Sequence, residues 1–391
     1  SHELNEIKRS RVWRYAETYR DVVHRRFIPR LIRGYLQICR PYKAIQKHGI
    51  NGLAAHLKQR YSNKPEPEVI VVPLERAPNN YEAWLKSRPV DYWSSPDELN
   101  STPLVSILMP VFDLAPELLH QAVASVINQV YPEWELCIVD DCSKNQQTLE
   151  YLRALNNPRI KVHFSEQNEN ISLASNHAAG LATGEYITLL DHDDVLAPHA
   201  LLELVLEAQK GADFVYSDED FLISDGELEN PHFKPDYSPD LLLSQNYITH
   251  MVLITSELFN KVGRFRESYD GAQDYDLFLR VVEQAKKISH VAKPLYHWRM
   301  IETSTAMNPE VKPEAHENAR SALKDALARR GEPSAEVLDG NKMHYFRVRR
   351  PIQGEPLVSI IIPLKDKPWL LTKCIHAIQL QSSYENYEII C

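Results

Sequence analysis

The chain has 391 residues, 43% of them apolar and 25% charged, enough to fill the cores of two or three domains. Its formal net charge of −9 conceals an asymmetry: residues 1–60 carry fourteen Lys and Arg against four Asp and Glu, which leaves the remainder strongly acidic. An acidic body argues against nucleic acid as a partner. No apolar run approaches a bilayer span, and five cysteines without a CxxC spacing argue for a reduced, cytoplasmic setting.

Along residues 8–40, Val12, Tyr15, Tyr19, Val22 and Val23 recur at helical spacing among arginines, and after Pro29 the pattern resumes with Leu31, Ile32, Tyr35 and Ile38. Two readings of this basic segment, residues 1–61, stay open. It can lie on an anionic membrane surface, the inner face of the cytoplasmic membrane, with Trp13 at headgroup level. It can equally form a helical hairpin packed on the main domain with its arginines in water. Residues 62–102, rich in Pro, Asn and Ser with one short helical piece, "YEAWLKSR", read as a linker.

From residue 103 the rhythm becomes alternating strands and helices. "LVSILMP" is an apolar strand, and "PELLHQAVASVINQ" carries an apolar helical stripe that starts at Pro116. "WELCIVDD", "RIKVHF", "EYITLLD" and "ADFVYSD" follow as strands, with helices over 172–183 and 198–210. This alternation predicts an α/β fold whose mostly parallel central sheet is covered on both faces, with ligands bound beyond the carboxyl ends of its strands. Asp140–Asp141, Asp191–Asp194 and Asp218–Asp220 all fall at such ends. "PLVSILMPVFD" at 103–113 returns as "PLVSIIIPLKD" at 356–366, and at the same offset "ELCI" matches "EIIC". The expected organisation is a domain over 103–335, a linker over 336–355, and the truncated start of a second module over 356–391, without its acidic motifs.

Asp191-His192-Asp193-Asp194 crowds three carboxylates into four positions at a strand end. A divalent cation such as Mn²⁺ or Mg²⁺ relieves such crowding and leaves room for phosphate oxygens. The competing reading is a helix N-cap, for which one carboxylate would suffice.

Together, "PLVSILMPVFD", "ELCIVDDCS", "GLATGEYITLLDHDD", "YSDED", "GAQDYDLFLR" and "PLYHWR" resemble, in order and spacing, the family 2 glycosyltransferases. The resemblance covers about 103–330 and is nearest to the multi-module bacterial enzymes of O-antigen, capsule and other surface polysaccharides. It implies the GT-A fold and inverting transfer of a sugar from a nucleotide diphosphosugar, a UDP- or dTDP-sugar, to a hydroxyl of a glycan or lipid-linked oligosaccharide. By the same resemblance, Pro110, Val111 and Phe112 cup the nucleobase, Asp141 hydrogen-bonds it, and Asn176 opens onto the donor pocket. Asp191 takes the ribose side, Asp193 and His297 hold the metal, and Asp274 is the catalytic base. Each has a plainer alternative. Phe112 could pack at a rim, the Asp140–Asp141 pair and Asn176 could cap turns, and His297 between aromatics could be structural. Asp274 could be an N-cap, with Asp276 as its decoy. Asp218, Glu219 and Asp220 are expected toward the acceptor, their roles undivided. Two rival functions remain: a sugar-nucleotide nucleotidyltransferase, disfavoured because "PVFDLAPEL" offers neither glycine nor base for a phosphate loop, and a non-catalytic scaffold.

Overall fold

The computed structural model describes residues 81–89, 92–223, 226–300 and 313–391. The basic segment, residues 1–61, lies outside the described residues, and with it both the membrane-surface and the packed-hairpin readings. The chain divides into two compact units, one over 76–351 and a second whose described part is 352–391.

In the larger unit the strands are β1 (Val105–Val111), β2 (Trp134–Asp140), β3 (Ile160–Phe164), β4 (Tyr186–Leu189), β5 (Val195–Leu196), β6 (Phe214–Leu222), β7 (Leu228–His232), β8 (Val252–Thr255) and β9 (Ile288–Arg299). They form one sheet in the order β3-β2-β1-β4-β8-β6-β9-β5, with β7 on β6. β3, β2, β1 and β4 run parallel, β8 enters antiparallel between β4 and β6, and β6 and β9 are parallel again. The carboxyl ends of β1, β2, β4 and β6 therefore share one edge.

Side chains alternate across each strand, so the apolar runs feed two cores. Ile107, Met109, Leu136 and Ile138 join the face covered by α2 (Pro116–Ile127), α3 (Gln146–Ala154) and α5 (Ala200–Ala208). Leu108, Cys137 and Val139 join the other face, under α4 (Asn170–Leu181), α6 (Pro239–Leu242), α7 (Ser256–Lys261), α8 (Gln273–Gln284) and α9 (Pro313–Arg329). This doubly covered, mostly parallel sheet is the GT-A arrangement that the resemblance implies. At the start of β4, a Cβ on Gly184 would meet Leu104 O at 2.5 Å, so glycine lets the turn tuck against β1.

Two stretches read as linkers carry packed structure. In the first, α1 (Tyr81–Lys86) buries Tyr81, whose hydroxyl donates to Asp220 Oδ2 at 2.7 Å, and Ser94 donates twice to Glu203. In the second, β10 (Glu336–Asp339) and β11 (Phe346–Arg349) pair as a hairpin whose Phe346 is buried and stacks on His316 of α9. Polar composition concealed both, because a few buried aromatics suffice to dock a short segment.

In the smaller unit, β12 (Val358–Ile361), α10 (Pro368–Gln381) and β13 (Tyr387–Ile390) form a parallel βαβ. Its register pairs Val358 with Tyr387, which repeats Val105 with Trp134 at the offset seen in the sequence. Among the described residues no helix is long and apolar enough to cross a membrane.

Candidate functional site

The shared sheet edge opens into a cleft of about 1000 Å³. Its lining runs from the end of β1, past the acidic turn after β4 and the loop 245–250, to the start of α8 and the turn between β10 and β11.

At one end stand Pro110, Val111, Phe112 and Asp141. The Asp141 amide donates to Val111 O at 2.8 Å, which ties the ends of β1 and β2 together. The Asp141 carboxylate accepts the Glu169 amide at 2.8 Å; burial raises this carboxyl, and the amides of Glu169 and Asn170 pull it down again. Asp140 takes the turn-capping role, accepting from the Ser143 amide at 3.2 Å, and its other oxygen has no partner. Phe112 is 44% exposed, an open ring face at the mouth. Asn176 does not join this end. Its amide is occupied on both sides by the Phe265 backbone, donating at 2.9 Å and accepting at 3.1 Å, so it staples α4 to the chain before α8.

The acidic turn connects β4 to β5. Asp194 is fully buried, and its two oxygens accept from the Tyr296 hydroxyl at 2.6 Å and the Arg299 amide at 2.7 Å. Burial raises Asp194 well above the usual carboxylate range, and repulsion from Asp191 and Asp193 adds to it. Burial also raises Asp193, whose carbonyl accepts Arg299 Nε at 2.6 Å. Arg299 thus braces this turn through its backbone amide and its Nε, and its charge acts on Asp193 and Asp194 through space. Asp191 faces the cleft with its side chain 41% exposed, and its Oδ2 lies 3.7 Å from His250 Nε2.

The expected metal pair, Asp193 with His297, is not what the fold assembles. β9 alternates, so Tyr296 and Trp298 turn toward His250 while the intervening His297 turns away. There His297 Nδ1 lies 2.6 Å from Asp220 Oδ1, whose carboxylate also takes the Tyr81 hydroxyl. Asp191, Asp194 and His250 instead bring ligand atoms within 4.8 Å of one another. Asp191 and His250 line the cleft and offer a hard oxygen and an imidazole to a metal ion, while Asp194 lies behind them with both oxygens already accepting. His250 stacks on Tyr296 with ring centroids 4.4 Å apart, which fixes its plane. Nothing in "NYITHMV" set it apart, apart from a polar pair directly before an apolar strand.

Asp274 opens α8, and its Oδ2 accepts Asn246 Nδ2 at 2.8 Å. Burial raises its carboxyl; His250, the Tyr275 amide and Asn246 oppose the rise. Its neighbour Asp276 is fully buried and gripped by Arg280 and Arg266, with Arg280 Nη2 at 2.6 Å, so Asp276 is a structural anchor. Asp274 has no such arginine clamp. Of the three acids on β6, only Glu219 faces the cleft. Asp218 turns away to His290 at 2.8 Å and Asp220 to His297, as strand alternation requires.

Residues 106–261 match the family described as Glycosyl transferase family 2. An uncharacterized protein y4gI of Sinorhizobium fredii is 42% identical over 298 residues, covering 75% of this chain and 33% of that protein. The O-antigen biosynthesis protein RfbC of Myxococcus xanthus is 37% identical over 319 residues, 80% of this chain and 25% of RfbC. The chain thus spans a third or less of the length of these two relatives. The putative colanic acid biosynthesis glycosyl transferase WcaA of Escherichia coli is 33% identical over 209 residues, 49% of this chain and 74% of WcaA.

Proposed function

The chain belongs to glycosyl transferase family 2, and on that premise we propose that its larger unit moves a sugar, with inversion, from a nucleotide diphosphosugar to a hydroxyl of a surface glycan or its lipid-linked precursor. The carrying observation is the contrast at the start of α8: Asp276 is saturated by two arginines, while Asp274 stands in the same cleft as Asp191 with two neutral amides, of Asn246 and Tyr275, and no cation on its carboxylate. The names of RfbC and WcaA support the assignment to O-antigen or related polysaccharide synthesis.

In this reading the end formed by Pro110, Val111, Phe112 and Asp141 takes the nucleoside. Phe112 offers a face for stacking, and the Asp141 carboxylate an acceptor for a pyrimidine N–H, which suits a UDP- or dTDP-sugar. Asp191 and His250, with Asp194 behind them, would hold the divalent cation, which supplies positive charge against the departing diphosphate. Asp274 accepts the proton of the attacking hydroxyl, and its burial-raised carboxyl is a better proton acceptor than an exposed aspartate. No covalent intermediate is required, so one carboxylate base suffices. The acceptor enters from the side of Met343, His344 and Tyr345, across Asp274 from the nucleoside end.

The test is a nucleotide-sugar screen with Mn²⁺, read as nucleoside diphosphate release on adding candidate acceptors. Asp274→Asn should lower turnover by roughly 10²–10⁴-fold and leave donor binding intact. Because the base must be ionised and its carboxyl is raised, wild-type turnover should fall on the acid side at a pH above the ordinary carboxylate range. Full activity of Asp274→Asn would sink the assignment.

A further inference from the structure

The stretch "FKPDYSPDLLLSQNYITH" at 233–250 is only partly absorbed by the site described above. It contains a lysine with no access to solvent. The Lys234 side chain is 0% exposed, and its ammonium donates to Glu219 Oε2 at 3.2 Å, to Ile248 O at 2.6 Å and to His250 O. Glu219 is itself nearly buried, and the same Oε2 accepts the Thr249 hydroxyl at 2.7 Å and the His250 amide at 3.1 Å. Its other oxygen meets His232 Nδ1 at 3.1 Å. One ion pair therefore grips three consecutive residues, 248–250, by their backbone and one hydroxyl.

Those three residues end the loop that spans the cleft. Asn246 donates to Asp274 at 2.8 Å and keeps a buried Oδ1 without a partner. His250 lies 3.7 Å from Asp191. The loop also carries the neighbouring wall, since Ser244 O accepts the Phe346 amide of the β10–β11 hairpin at 2.7 Å. Burying a lysine and a glutamate together is a costly way to gain stability, because desolvation offsets most of their attraction. Such a pair is better placed to fix one geometry of what it touches, and what it touches here is the loop between the two reacting ends of the cleft.

We propose that the buried Lys234–Glu219 pair is a positioning device for sugar transfer: it clamps loop 246–250 so that Asn246 aims the Asp274 carboxylate and His250 meets Asp191. This rests on the reading of Asp274 as base. Asn246 fixes Oδ2 of Asp274 at 2.8 Å, and its own Oδ1 is buried without a partner. Lys234, absent from the cleft lining, acts through this loop; Glu219 reaches the cleft wall, but its side chain is nearly buried and both its oxygens are taken, by Lys234, Thr249 and His250 on one and by His232 on the other.

The experiment replaces both charges at once. Glu219→Leu with Lys234→Met removes the pair but keeps its volume, a change that is commonly neutral or stabilising for the fold. Nucleoside diphosphate release from the donor selected by the screen is measured alongside calorimetric binding of uridine diphosphate with Mn²⁺. The expected result is a melting temperature at or above wild type, kcat lower by roughly ten- to a hundredfold, and donor KM moved far less than kcat. Asn246→Ala, which cuts the chain of contacts below the clamp, should reproduce the kcat loss with uridine diphosphate affinity within about twofold of wild type. A folded double variant with wild-type kcat overturns the proposal; if that variant does not fold, wild-type kcat in Asn246→Ala overturns it instead. Absence of turnover in the wild type would strike the parent reading, a result distinct from either.

Discussion

His250 and His297 pose the same question to a single side chain: which face of its strand or loop does it occupy? The motif pattern points to His297 alone, and nothing in the sequence singles out His250. Strand alternation in β9 sends His297 to Asp220, while the loop before β8 delivers His250 to Asp191 at 3.7 Å. Removing each histidine should therefore give opposite results. With uridine diphosphate as the probe, His250→Ala should weaken Mn²⁺-dependent binding by about tenfold or more, the scale on which loss of site partners lowers metal affinity. His297→Ala should leave that binding near wild type and instead lower the melting temperature, because it strands the buried Asp220 with only the Tyr81 hydroxyl. Calorimetry with and without the metal reads both. The reverse pattern would return the metal role to His297. Asn176 teaches the same lesson, since its amide looked like a pocket group and is occupied by Phe265. Residue type was legible; orientation was not, because it depends on partners far along the chain.

Elements were read more securely than residues. β1, β2, β3, β4 and α2 lie where apolar period and proline placement set them, to within a residue or two. Their order alone brings Pro110, Asp141 and Asp191 to one edge, and that much of the site was visible in the sequence. The helix bearing Asp274 depends on something subtler. Gly271 precedes α8 with φ +83°, and a Cβ there would stand 2.9 Å from Ala315 Cβ of α9. Glycine thus permits both the left-handed backbone and the close approach of α9 to the start of α8. Gly271→Ala should cost about 1–3 kcal/mol of stability through the strained backbone. It should also lower kcat more than it raises donor KM, since Asp274 lies three residues on and the nucleoside end lies on other elements. Combining it with Ala315→Gly relieves the contact but not the backbone, so stability should recover only in part. Complete recovery would show that crowding alone selects the glycine. Chemical denaturation of the three variants separates these outcomes.

At the scale of the molecule, two units start from the same pattern and reach different degrees of closure. The shared details go beyond sequence: Tyr131 donates to Pro103 O and Tyr384 to Pro356 O, both at 2.6 Å, and Ser106–Glu135 recurs as Ser359–Glu388. In the larger unit Glu135 is almost buried and held by Lys161 as well; burial alone would raise it, but Lys161, Ser106 and Thr183 bring it below its ordinary value. In the smaller unit the corresponding strands have no further neighbours among the described residues. Ile361 is 74% and Leu364 46% exposed, at positions whose counterparts in the larger unit, Leu108 and Val111, are buried by helices and additional strands. A βαβ of this size cannot remove enough apolar surface from water to offset its chain entropy. Residues 76–351 expressed alone should therefore melt cooperatively and retain wild-type nucleoside diphosphate release. Residues 352–391 alone should give a coil-like circular dichroism spectrum with no thermal transition. A cooperative melt from the short fragment would mean that its own helix and two strands bury more than the exposed leucines and isoleucines allow. A loss of turnover in the long fragment would assign residues outside 76–351 a part in the reaction.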